Sequence, residues 1–219
     1  IISINQNNTT SGFKYLNKAK SLKNNHQNYN AKYLRSLVLL NKIDKAFSFS
    51  RDVWTEKKIF FDADLLIGLD YFLNKEYTKA EKHFSRLNEI SRYNLIFDDF
   101  LGNILLSWSQ ASQNNKEEAF KYNNKIPNRY KGIKKIQNAL LHCYYNSAKS
   151  ENLFNELINY EEYNSSRYVF FLINYLIHNN KNKKAQVVTS DGRKEYSSNL
   201  LIKQSESYIK KNEYYKIKK

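Results

Sequence analysis

Five glycines and one proline in 219 residues are too few for a chain built from strands. Sandwiches, barrels and doubly wound sheets reverse direction often. Gly and Pro supply most of those reversals, one by tolerating positive φ and the other by presetting φ. Helices joined by short polar loops need little of either, and Asn, Ser and Lys are plentiful between the apolar segments here. The chain is therefore expected to be all-α. One local rival exists: Gln186-Val187-Val188-Thr189 followed by Asp191-Gly192 also fits a small hairpin, with strand formers ahead of a turn dipeptide.

Charge narrows the class of partner. The chain carries 36 Lys and Arg against 21 Asp and Glu, a formal charge of +15, and such a balance first suggests nucleic acid or an anionic surface. Its distribution argues otherwise. Residues 1–60 hold 11 basic and 3 acidic groups, 61–120 hold 6 and 10, 121–180 hold 8 and 4, and 181–219 hold 11 and 4. Two basic ends flank an acidic middle, so no basic track runs the length of the chain. A single cysteine, Cys143, excludes an internal disulfide and a multi-cysteine metal site, and it does not mark a compartment. The longest apolar run, Tyr168 to Ile177, covers ten residues, about half of the roughly 20 a membrane helix needs. The chain begins at Ile1 and has no Met, which leads to the expectation of a piece cut from a longer protein.

An internal period appears next. Ala19, Val53 and Leu87 are separated by 34 and 34 residues, and Gly12, Ala46 and Ala80 share those steps. Thirty-four residues is the length of one helix-turn-helix unit in a class of helical repeats. The segment 62–90 carries the pattern best: Gly68-x2-Tyr71, then Tyr77-x2-Ala80, then Ala80-x3-Phe84. Leu34, Leu37 and Val38 followed by Ile43-x2-Ala46 repeat the course, and Ala119 follows Ala80 after 39 residues, with Gly102 and Trp108 before it. Later units are expected at Ala139–Asn146 with Ser150–Tyr160, and at Tyr168–His178 with Lys181–Val188. A closing amphipathic helix is expected from Ser198 to about Tyr215, with Leu201, Gln204 or Ser205, Tyr208 and Asn212 on one face. Asn115 before Lys116-Glu117-Glu118, and Ser150 before Glu151, read as helix caps followed by acids that suit the positive end of the helix dipole. Pro127 after Ile126 reads as a helix stop.

These residues resemble the tetratricopeptide repeat. The match covers most of 8–190, is strongest at 62–90, and departs at Asp64, where that pattern has a Trp. The segment from Asn8 to Leu22 resembles only the second helix of a pair, so the chain reads as one repeat domain over 1–219, truncated at its start. The resemblance implies an α-solenoid of antiparallel helix pairs, a superhelix in which small residues mark close crossings and aromatics fill the space between pairs. It also implies a non-catalytic scaffold that binds protein or peptide on the face lined by the first helix of each pair. Projected onto this sequence, that face comprises Arg35, Leu65, Leu69, Phe72, Trp108, His142, Tyr145, Asn174 and His178.

Catalytic constellations are missing from the sequence. None of His26, His83, His142 and His178 has a His or Cys partner four residues away. His142 and Cys143 are adjacent, so on a helix they diverge by roughly 100°. Asp98-Asp99, Glu117-Glu118 and Glu161-Glu162 read as caps and dipole partners. There is no glycine-rich phosphate loop, nucleophile elbow or metalloprotease pair, and no cofactor or metal is expected. The rival function is RNA binding by a helical repeat, using the basic ends and some of the 18 Tyr and 13 Phe as stacking platforms. Aromatics at helical spacing serve packing first, and the acidic middle disfavours a common basic face.

Overall fold

Among the described residues six take the left-handed backbone conformation, and they set the plan of the molecule: Asn41, Lys75, Asn114, Asn146, Asn180 and Asn212, with φ from 48 to 63°. They stand 34, 39, 32, 34 and 32 residues apart. The computed structural model describes residues 9–24, 26–91, 100–159 and 165–217. Among them are twelve α-helices and no strand beyond an isolated bridge between Thr55 and Lys58.

The chain divides into two compact units, Ile1–Pro127 and Asn128–Lys219. The first holds α1 (Thr9–Lys18), α2 (Gln27–Leu39), α3 (Ile43–Val53), α4 (Phe61–Leu73), α5 (Tyr77–Ser91), α6 (Phe100–Ser112) and α7 (Lys116–Asn124). The second holds α8 (Lys131–Tyr144), α9 (Ser150–Ile158), α10 (Ser166–His178), α11 (Asn182–Glu195) and α12 (Leu200–Lys210). Short 3₁₀ turns lie at Lys20–Asn24, Asn128–Tyr130 and Tyr214–Lys216. No helix among the described residues is long and apolar enough to cross a membrane.

Every left-handed residue sits just past the end of a helix and closes the same pair of hydrogen bonds. After α2, the Asn41 N–H donates to the Val38 carbonyl at 3.0 Å and the Lys42 N–H to the Leu37 carbonyl at 2.8 Å. The same two bonds recur at Lys75, Asn114, Asn146, Asn180 and Asn212. This is the Schellman arrangement, which satisfies carbonyls left over at a helix end and needs φ > 0 at one residue. Asn tolerates that conformation better than other residues with a Cβ, which accounts for Asn at five of the six turns.

The turn sends the chain back antiparallel, and the new helix crosses the old one closely. Ala46, Ala80, Ala119 and Ala185, each five residues after its turn residue, are all 0 % exposed. The fourth turn departs, with Ser150 buried four residues after Asn146, and Ile217 takes the place after Asn212 at 7 % exposure. Gly68 shows how tight the crossing is, because a Cβ there would lie 2.5 Å from the Phe84 ring. Phe84 is itself fully buried, with Ala80, Leu87 and Leu106 in one cluster. It thus packs within its pair against Gly68 and also meets the following pair. Consecutive helices pack in order within each unit, and first helices of successive pairs also touch, α2 with α4 and α10 with α12. The 39-residue step absorbs its excess after a longer second helix, the 15-residue α5.

Several local expectations need correction. Residues 182–195 form the helix α11, so the hairpin at Asp191-Gly192 is not formed. Gly192 packs into the Val169 side chain instead, where a Cβ would stand 2.7 Å away. Asn115 occupies the cap position of α7 without capping it, and its Nδ2 donates to Gln110 Oε1 at 3.0 Å. Ser150 lies inside α9 after Lys149 at the cap, and its hydroxyl donates to the Ser147 carbonyl at 2.7 Å. His26 on α2 and Asn199 on α12 do cap with their side chains. The last helix ends at Lys210 and buries Ile202, Ser205 and Ile209, while Leu201 is 44 % exposed. Its inner face is therefore turned by one residue from the face anticipated. Asp98-Asp99 and Glu161-Glu162 lie outside the described residues.

Two outcomes follow for stability. Lys75 is the one turn residue with neither the conformational freedom of Gly nor the local hydrogen bonding of Asn, so Lys75→Gly should raise stability in urea unfolding by about 0.5–1 kcal/mol. Ala80→Trp should lower it by about 1–3 kcal/mol or more, because the crossing has no room for a ring. A melting temperature unchanged by that substitution would refute the close crossing.

Candidate functional site

The turn residues supply a common frame for the candidate surface. Arg35, Leu69, Trp108 and Asn174 each stand six residues before a turn residue, on α2, α4, α6 and α10. Four of the nine candidates thus hold one repeat position. Arg35 is exposed and reaches the neighbouring first helix, where its Nε donates to Asp62 Oδ1 at 2.9 Å. Leu65, Leu69 and Phe72 are half-buried on α4 and pack against the Ala80–Phe84 cluster. Trp108 is half-buried on α6. In the second unit Asn174 and His178 line one groove of about 260 Å³ with Cys143, Tyr144, Asn146, Tyr175 and Ile217. Asn174 Nδ2 donates to the Phe170 carbonyl at 2.8 Å, so part of its amide is committed to its own helix. His142 and Tyr145 are not among the residues lining that groove. Burial pushes the Cys143 thiol above its ordinary range, which keeps it protonated and a poor nucleophile. Among the described residues, no group of three or more His, Cys, Asp and Glu side chains could hold a metal ion.

The most elaborate polar arrangement lies elsewhere in the first unit, on the residue where the repeat pattern breaks. Asp64 is fully buried on α4. Its Oδ1 accepts from Trp54 Nε1 at 2.8 Å, Arg86 Nε at 2.9 Å and His83 Nδ1 at 3.0 Å. Its Oδ2 faces the Phe60 N–H at 3.4 Å. Burial alone would raise this carboxyl's pKa. The hydrogen bonds from His83, Trp54 and Arg86 outweigh it, and the group is held below the ordinary carboxylate range. Arg86 extends the network outward by donating to the carbonyls of Glu56 at 2.9 Å, Lys58 at 3.4 Å and Thr55 at 3.5 Å. Its guanidinium lies 5.3 Å from the centre of the Trp54 ring. One buried carboxylate thereby holds the end of α3, the whole connection 54–60, α4 and α5.

Comparison with protein-family models, with curated proteins and with solved structures finds no match.

In the sequence Asp64 stands out as a departure from the repeat pattern and lies six residues before Asp70 on one helix, a spacing unsuited to paired acid–base work. Its partners come from positions 10, 19 and 22 residues away, and no local spacing announces them. No local spacing marks the exposed residues Leu39, Leu73 and Tyr144 either. Each lies two residues before a turn residue, and that position becomes identifiable only once the turns are located.

Removing the charge of Asp64 should be severe. Asp64→Asn leaves Arg86 buried against a neutral group and should cost about 3–5 kcal/mol at pH 7. The pH dependence has a definite sign. A carboxyl whose folded pKa is lowered stabilises fully above its unfolded value near 3.9, and that contribution is lost as pH falls through the lowered value. The stability gap between wild type and Asp64→Asn should therefore be constant from pH 5 to 7 and narrow below about pH 4. Thermal melts across that range measure it.

Proposed function

We propose that this chain is a tetratricopeptide-like α-solenoid scaffold that binds a protein or peptide segment and performs no catalysis. The observation that carries the reading is a pair of exposed leucines at one repeat position. Leu39 and Leu73, each two residues before its turn residue on consecutive first helices, are 67 % and 69 % exposed. Single exposed apolar residues need no explanation, whereas large apolar groups recurring at one step of a repeat suit an interaction surface. In the second unit the same position holds Tyr144, 55 % exposed, and the exposed His178, both lining the groove with Asn174. First helices offer a ligand rigid and regularly spaced side chains, as required for recognising a helix or an extended segment by periodic anchors. The depressed reactivity of Cys143 and the structural use of Asp64 and His83 favour binding over chemistry.

Selection from a displayed random-peptide library tests this. Peptides with apolar anchors at regular spacing should be enriched. Leu39→Glu and Leu73→Glu should weaken their binding by about tenfold or more. Stability should change by no more than about 0.5 kcal/mol, since both side chains face solvent. If no peptide is enriched while a selected RNA binds at about 150 mM salt, the scaffold reading gives way to RNA recognition.

A further inference from the structure

Within the second unit, α9, α10 and α11 enclose an open groove of about 290 Å³ with an apolar interior. Leu172 and Leu176, one turn apart on α10, form its floor, and Val187 and Val188 on α11 form one wall. Val188 packs in part against the core of the unit, whereas Val187 is 60 % exposed. The other wall is the stripe of Glu151 and Asn155 on α9. Charge is placed at one end. Lys181 and Lys184 reach across from the start of α11 and both donate to the Glu151 carboxylate, at 2.8 and 2.7 Å. These hydrogen bonds hold the Glu151 carboxyl below its ordinary range. They also fix two ammonium groups on one carboxylate that lines the groove, a local surplus of one positive charge. Each ammonium has three N–H donors, so both can serve a further acceptor. One turn along each wall the character changes to Asn155 and Val188. Asn155 is exposed, and its side-chain amide makes no hydrogen bond among the described residues.

We infer that this groove docks an acidic amphipathic helix of a partner protein. A large apolar side chain of that helix lies over Leu172, Leu176 and Val187, and a carboxylate one turn away meets Lys184. Charge complementarity decides the sign of the partner. The surplus at the Glu151 end attracts a carboxylate, and a basic segment would meet two ammonium groups. Spacing decides its form. The charged and apolar ends of the groove are one helical turn apart, roughly 5–6 Å, which is also the separation of side chains three or four positions apart on a helix. Helices recognised in grooves present their anchors at that interval. A groove of one turn covers a large side chain but leaves most of a long acyl chain in water, so lipid is a poor occupant. The Asn155 amide offers a donor and an acceptor to a polypeptide and finds no counterpart on hydrocarbon. The groove shares no residue with the first-helix surface that includes Leu39, Leu73, Tyr144 and His178, so it stands or falls independently of that reading.

The test is a titration of the full 219-residue chain with a capped helical peptide made of three Glu-Ala-Ala-Leu repeats, followed by two-dimensional amide NMR. Saturable shifts should appear at Asn155, Lys184 and Val187. Peptides with Gln for Glu, or with Ala for Leu, should each bind about tenfold more weakly, and the peptide with Lys for Glu should give no saturable shift. Val187→Glu should weaken the acidic peptide by about tenfold. Lys184→Gln should weaken it by about threefold and flatten its salt dependence. Both side chains are exposed, so each variant keeps the fold and its remaining amide signals. Leu73→Glu should leave this titration unchanged, which separates the groove from the first-helix surface. The inference is overturned if the peptide gives no saturable shift, if the shifts fall on Leu73 and its neighbours, or if both groove variants bind as wild type does. Tighter saturation by decanoate than by the peptide also overturns it, since the occupant is then a lipid. So does a dimer in sedimentation velocity that Val187→Glu abolishes, since the occupant is then a second copy of this chain.

Discussion

A helix that must stop and return has to dispose of its last carbonyls, and among the described residues this chain does so the same way six times. The left-handed residue turns two N–H groups back onto the ending helix, which fixes the exit direction of the backbone. The following helix then lies against the one it left, closely enough that Ala is buried five residues after four of the six turns. Within each unit much follows from this geometry. Small residues sit at the crossings, larger ones such as Phe84 and Leu106 fill the space to the following pair, and successive helices pack in order. Side chains just before the turn, Leu39 and Leu73 among them, remain outside because they lie on the face of the ending helix away from its returning partner.

One departure in the first unit is compensated electrostatically. Asp64 occupies a fully buried position and would be destabilising without partners. It is tolerated because Trp54, His83 and Arg86 all donate to it. An apolar residue there would serve stability as well or better, so the burial of a carboxylate is better understood through what it positions. Arg86 is drawn inward by Asp64 and presents its remaining N–H groups to three carbonyls of the 54–60 connection. That connection has no regular secondary structure beyond the Thr55–Lys58 bridge, and it becomes the wall of the cavity that Asn30 lines.

Surfaces of two kinds thus arise from one framework. The first helices offer side chains repeated at equal steps, a good basis for recognising extended or helical segments. The cavity beside Asn30 is a separate polar space, lined among others by Lys23, Asp52 and Lys58. The formal charge of +15 is distributed so that neither depends on a continuous basic surface. Lys181 and Lys184, for instance, share Glu151 at 2.8 and 2.7 Å, and Arg193 is paired with Glu206 at 3.0 Å.

By itself the sequence determined the helical class and the approximate place of several helices. Sparse Gly and Pro, apolar spacing and the recurrence of small residues are local signals, and local signals decide whether a segment coils. The 34-residue step between Ala46 and Ala80 and the 39-residue step to Ala119 were legible for the same reason, since identical crossings demand the same small side chain. The tertiary structure decided what local signals leave open. It placed Gly192 inside a helix because Val169 packs where a Cβ would be, although Asp-Gly in isolation favours a turn. It turned the inner face of α12 by one residue, because Ile202 and Ile209 join the core of the second unit. It also brought Trp54, Asp64, His83 and Arg86 onto one carboxylate oxygen. Such meetings depend on how whole helices lie against one another, and the energy that selects them comes from burial and pairing across distances in the chain that no sequence window spans.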